Sequence, residues 1–214
     1  MNILKKDFKE DRIILLSAVI VTLLLTIPFG FYGAYISISI FTIFTGSGII
    51  SKEKDKMDFF FSKPISMEKL FFLKLLTSAL YILILFASAL IVIGLIIEFR
   101  RSCSACSSYN ITYFYKNPSD FLPDKSYLPL LFSFIPALFS IPLFFSVLTY
   151  NSSYSFLVSI ITFFFLDILP GVIGKVDSLN YPENREFYTY FHLFISAVFL
   201  ILSHGVFKRK KYIA

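Results

Sequence analysis

Charge is scarce in this sequence. Asp, Glu, Lys and Arg together make up 16% of its 214 residues, while hydrophobic residues make up 57%. A water-soluble domain is about a quarter charged, so this balance, with a mean hydropathy of +0.75, excludes an ordinary soluble domain and points to a polytopic membrane protein. Cysteine is nearly absent: Cys103 and Cys106 stand alone in Ser-Cys-Ser-Ala-Cys-Ser-Ser. A structural zinc site needs four ligands, and neither a second pair nor a nearby histidine completes one. The pair reads as a local disulfide or two free thiols in an outer loop, with redox or metal work as the alternative. The only histidines, His192 and His204, lie toward opposite ends of one apolar run, where they cannot share a metal and read as interface residues. No His-Glu-x-x-His, Ser-His-Asp set or pair of intramembrane acids supplies the machinery of a membrane hydrolase. Gly46-Ser-Gly48 with Lys52 lacks the Gly-Lys-Ser/Thr of a phosphate-binding loop, so ATP hydrolysis is not expected in this chain. Those glycines read instead as points of close helix packing. A cleavable signal peptide is not expected either, because the first apolar run is too long and lacks a small-residue cleavage site.

Basic residues do exceed acidic ones, 20 to 14. They sit at the edges of apolar runs, where membrane topology puts them, which argues against a nucleic-acid partner. A bilayer-crossing helix takes about 20 mostly apolar residues. Runs of that kind cover Ile13 to about Tyr32, Ala34 to Ile50, Leu70 to about Ile97, Tyr127 to about Leu148, Tyr154 to about Leu169, and Phe187 to about Phe207. Gly30 and Gly33 leave so little chain between the first two runs that these must form an antiparallel hairpin. Pro136 and Pro142 predict a kink or break in the fourth run, and Asn151-Ser-Ser153 predicts a brief turn after it. The expected fold class is all-α, a single transmembrane domain over residues 1–214 with six spans.

Lys and Arg set the orientation. One side holds Lys5, Lys6, Lys9, Arg12, then Lys52, Lys54, Lys56, Lys63, Lys69, then Lys208 to Lys211; the other holds Arg100, Arg101, Lys116, Lys125, Lys175 and Arg185. The first set is larger and closer to the helix ends. Both termini and the segment 51–68 are therefore expected in the cytoplasm, with loops 98–126 and 175–186 outside. Within residues 1–12, Ile3, Leu4 and Phe8 against Lys5, Lys6 and Lys9 suit an interfacial segment.

Segment 51–68 is a charged island between two apolar runs. A helix there puts Met57, Phe60, Phe61 and Ile65 on one face, with Lys52, Glu53, Lys56 and Lys63 on the others. Lys54 and Asp58 form an i,i+4 pair. Pro64 ends that helix, and Ser66 can cap the next one, with Glu68 in its first turn and Met67 at its start. Read physically, the segment is either an interfacial anchor, aromatics in the headgroups, or an element gripped by a cytoplasmic partner.

The run from Ser51 to Lys74 resembles the segment after the second membrane helix in type-2 ABC transporter permeases. Those commonly carry E-x-E-x-G-T, an apolar stretch, S-x-P-I-S-R and a lysine opening the third span. Glu53, Asp55, Ser62, Pro64, Ile65, Ser66 and Lys74 match, while Met57 replaces a common glycine and Met67 a common arginine. The resemblance covers about 25 residues in sequence and nearly the whole chain in layout. It implies a permease subunit of an ABC exporter, working with two copies of an ABC ATPase and with a second permease, identical or related. Glu53, Lys54, Asp55, Met57, Asp58, Phe60, Phe61 and Pro64 would couple to that ATPase. No cofactor is expected on this chain, with ATP and magnesium bound by the partner, and membrane lipids surround it.

Nothing resembles an importer's docking site for a binding protein, so the implied direction is export across the cell membrane. The small outer region and the 28 Phe and 13 Tyr suit a hydrophobic or amphipathic cargo such as a peptide, antibiotic or lipid, with sugar polymers and ions as alternatives. Asp167, an acid inside the fifth run, is a candidate for the substrate path or gating, or else an outer-interface residue. Two other classes compete with the transporter: an integral membrane enzyme, and a non-transporting membrane scaffold or sensor.

Overall fold

Backbone that crosses lipid meets no water, so its amides must be bonded within the segment, as an α-helix does. The computed structural model of the chain describes residues 3–48, 50, 67–102, 125, 128–162 and 185–210, and its regular elements are α-helices. These are α1 (Ile3–Gly48), α2 (Met67–Ser102), α3 (Leu128–Thr149), the short α4 (Ser152–Thr162) and α5 (Arg185–Lys210). Four of the five, α1, α2, α3 and α5, are long and apolar enough to cross a membrane.

Helix α1 is one element by continuity and two by geometry. A straight helix of 46 residues would be about 69 Å long, more than twice the ~30 Å hydrocarbon core. Gly30 breaks it, with φ 58° and ψ −141°, a backbone that a side chain would not tolerate. Thr22 Oγ1 lies 2.9 Å from Ser37 Oγ across that break; on a straight helix the two would be about 22 Å apart. Residues 3–29 and 31–48 are thus the arms of an antiparallel hairpin, as the short Gly30–Gly33 interval requires. Gly33 lets the arms close: a Cβ there would overlap the Leu25 carbonyl oxygen. Residues 3–12 run into the first arm with no non-helical residue between.

The seam between the arms carries hydrogen-bonded hydroxyls. Thr22 donates to the Ala18 carbonyl at 2.8 Å, which commits its hydrogen and leaves Ser37 as donor across the seam. Thr26 donates to the Thr22 carbonyl at 2.6 Å.

Packing divides the chain into two units, Met1–Phe41 with Leu76–Lys125, and Thr42–Leu75 with Ser126–Ala214. In the first, Thr22, Thr26, Ser37 and Ile38 of the hairpin are buried. Tyr81, Leu85, Ala89 and Ile93 of α2 are buried too, at the four-residue spacing of one helical face.

In the second unit α3 is the central helix, with 67% of its span buried against 22% for α5. The two pack together. Ser133 meets His192 and Phe144 meets Phe199, so positions rise together and the helices run in the same direction. The start of α2 meets the end of α5 through Glu68–Lys208 and Phe71–Phe207, so those two run oppositely. Gly46 packs on α3, where a Cβ would come 2.6 Å from the Phe139 carbonyl oxygen and 3.2 Å from Pro142 Cβ. That is the close approach expected of this glycine.

The prolines leave α3 unbroken over Leu128–Thr149. Each removes one backbone hydrogen bond, and packing around a helix that is buried on most of its span offsets the loss. The expected turn follows it. Tyr150 takes φ 52°, its amide bonds the Ser146 carbonyl at 2.9 Å, and Asn151 Oδ1 caps α4 by accepting from Tyr154 N at 3.1 Å. Burial raises the Tyr150 phenol above its ordinary pKa, so the turn carries no extra charge near neutrality. Ser155 Oγ then donates to the Pro142 carbonyl at 2.7 Å and ties α4 back along α3.

Large apolar side chains remain exposed on all the long helices, as with Ile13 (72%), Leu95 (65%) and Ile201 (71%). Such a surface is unfavourable in water and neutral against lipid tails. The fold is that of a membrane-embedded helical protein.

Candidate functional site

The segment that carries the functional expectation lies outside the described residues. Glu53, Lys54, Asp55, Met57, Asp58, Phe60, Phe61 and Pro64 all fall there, as do Asp167, Cys103 and Cys106. The described residues give the frame into which the segment is strung. The chain leaves the hairpin at Ile50, which is 1% exposed, and resumes as helix at Met67. Helix α2 starts where Pro64 and Ser66 predict, and Glu68 occupies its first turn, the favourable position for an acid against the helix dipole.

Glu68 does more than face the dipole. Its Oε1 accepts from Lys208 Nζ at 2.8 Å, joining the first turn of α2 to the last turns of α5. Below this ion pair an aromatic cluster fills the seam. Phe71 lies 5.5 Å from Phe207 and 5.5 Å from His204, centroid to centroid, and Phe72 lies 5.9 Å from His204. Phe71 and Phe207 are fully enclosed, at 2% and 1% exposure. The chain re-enters the membrane fold against a fixed, packed wall.

Lys74, the matching lysine of the third span, sits on the buried face of α2 with Leu70, Thr77 and Ser78 and is 6% exposed. An ammonium group in that position is held by its surroundings, because burying it unsolvated is costly.

His192 is not at an exposed interface. It is 5% exposed, packed edge-on to Phe134 at 5.0 Å, with Nδ1 3.5 Å from Ser133 Oγ. Ser133 donates its hydrogen to the Leu130 carbonyl at 2.8 Å. His204 is 12 residues further along α5, about 18 Å. The two cannot share a metal, and among the described residues no group of three His, Cys, Asp or Glu side chains could hold one.

Comparison with protein-family models, curated proteins and solved structures gives no match. Function is therefore argued from the residues themselves. Sequence reasoning missed the Glu68–Lys208 pair and the His204–Phe71 contact. Both partners of the ion pair stood in view, an acid opening one helix and a basic run closing another. Nothing local joins positions 140 residues apart.

Proposed function

We propose that the chain is the membrane-spanning permease subunit of an ATP-driven transporter of the type-2 ABC class. The observation that carries this reading is the sequence from Ser51 to Lys74, in which Met57, Phe60 and Phe61 stand at helical spacing before Pro64, together with the helix that opens at Met67. An element with an apolar face between two membrane helices suits seating in a cytoplasmic ATPase. ATP would close a pair of ATPase subunits, the segment would move with them, and the helices would exchange access between the two sides. Two permeases, identical or related, complete the unit. ATP and magnesium belong to the partner, and this chain performs no chemistry.

Six spans are part of the proposal. The hairpin supplies two, and α2, α3 and α5 supply three. Support for the remaining one is directional. Helices α3 and α5 run the same way, so a chain in which both cross the bilayer must cross back between residues 150 and 184, where the apolar run Tyr154 to Leu169 lies. The same logic supports one side for residues 51–66 and the basic C-terminal run, since the start of α2 meets the end of α5. By the Lys/Arg bias that side is the cytoplasm. Export of a hydrophobic or amphipathic molecule, a peptide, antibiotic or lipid, is the transport direction and cargo class proposed, and Asp167 is a candidate for its path or gate.

The test is affinity capture of the tagged chain from its native membranes in mild detergent. An ATP-binding protein should be recovered with it, and Phe60→Asp with Phe61→Asp should release that protein while leaving the chain's own thermal unfolding unchanged. Recovery of the chain without any ATP-binding partner contradicts the proposal.

A further inference from the structure

Helix α2 opens against α5 through two matched sets of side chains. Glu68, Phe71 and Phe72 are spaced three and four residues apart on α2, and His204, Phe207 and Lys208 repeat that spacing on α5. Each set therefore lies on one face of its helix. The sets meet in the order that antiparallel helices require. Glu68 pairs with Lys208 at 2.8 Å, Phe71 with Phe207 at 5.5 Å, and Phe72 with His204 at 5.9 Å between ring centroids. Phe71 also meets the His204 ring at 5.5 Å.

The parts of this contact resist different movements. Phe71 and Phe207 are enclosed, and a packed interior is hardly compressible, so they hold the distance between the helices. Glu68 and Lys208 are 50% and 56% exposed, where an ion pair adds little to stability. Such a pair does fix register, since sliding or turning α2 on α5 separates the charges. His204 Nε2 is buried and no described residue hydrogen-bonds it, so the ring meets Phe71 and Phe72 as an aromatic surface. Residues 67–75 share the packing unit of α3 and α5. A displacement imposed at Met67 thus acts on α5 within about a turn. We propose that this contact is a joint that carries movement from the start of α2 into α5, with Glu68 and Lys208 as positioning residues. The proposal rests on the transporter reading, in which an ATPase acts on the chain before Met67, and adds α5 as the helix that receives the movement.

The test uses the complex of the full chain with its ATPase, captured from native membranes and returned to lipid vesicles. It reads the ATPase retained by the chain and the stimulation of hydrolysis over the ATPase alone. Glu68→Gln and Lys208→Gln should each retain the ATPase and lower stimulation by about two- to fivefold, the reach of an exposed ion pair. Both should unfold at the unaltered chain's temperature. Combined, they should lower stimulation no further, because the pair acts as a unit. Lys208→Arg and His204→Phe should keep stimulation, and His204→Ala should lower it. Losses no larger than that of Glu186→Gln, an exposed acid at the other end of α5, overturn the joint and leave the transporter reading standing. So do additive losses from the two Gln substitutions. Release of the ATPase by either one also overturns the joint, making the pair part of the docking surface instead. Capture of no ATPase by the unaltered chain overturns the transporter reading, and the joint with it.

Discussion

Glycines separate the residues that hold this fold from those that merely occupy it. Gly33 and Gly46 each face backbone carbonyl oxygens, of Leu25 and Phe139, at distances that leave no room for a methyl group, whereas Gly94 faces open space. Gly33→Ala and Gly46→Ala should each destabilise the protein by about 1–3 kcal/mol, the usual cost of overpacking. Gly94→Ala should be neutral or slightly stabilising, since alanine is the better helix former by up to ~1 kcal/mol. Thermal unfolding in detergent distinguishes them; a Gly94→Ala loss as large as that of Gly33→Ala would show that the close approaches do not limit stability. The role of Gly46 was legible in the sequence, because small residues in an apolar run signal close packing. The burial of His192 was not. Its partner Ser133 lies 59 residues away, and an apolar run does not reveal which of its faces meets protein and which meets lipid.

Among elements, the hairpin of α1 makes the sharpest energetic claim. Lipid tails are as apolar as leucine, so the arms are held by packing and by hydrogen bonds rather than by expulsion from water. The Thr22–Ser37 bond is a polar tie between them. A double-mutant cycle of Thr22→Val and Ser37→Ala should return a coupling of about 0.6 kcal/mol, typical of such bonds inside membranes. Additive effects with no coupling would show the bond to be incidental. The hairpin was legible because two spans' worth of apolar residues had only Gly30 to Gly33 in which to turn. The start of α2 was legible as well, from Pro64 and Ser66. Its end was not: helix continues through Glu98 to Ser102, beyond the apolar run, because extending a formed helix is far easier than starting one. The candidate coupling residues lie outside the described elements, so their reading rests on the sequence pattern.

For the whole molecule, direction matters more than any single contact. The hairpin of α1 turns back on itself, the first turn of α2 runs against the last turns of α5, and α3 and α5 run the same way. Hydropathy makes the crossings legible, since it is summed over about 20 residues at a time. The choice of neighbours is not legible that way, because lipid-facing and protein-facing side chains are equally apolar. Function stands one level further from hydropathy, and the function proposed rests on the sequence between Ile50 and Met67. The central claim is that this segment transmits the work of a separate ATPase. Its most direct test is the ATP hydrolysis rate of the complex purified from native membranes and returned to lipid vesicles. The account predicts a rate above that of the ATPase alone, falling to the ATPase-alone value when Phe60 and Phe61 become Asp while the chain still unfolds at its usual temperature. A hydrolysis rate indifferent to both the chain and those substitutions would contradict it.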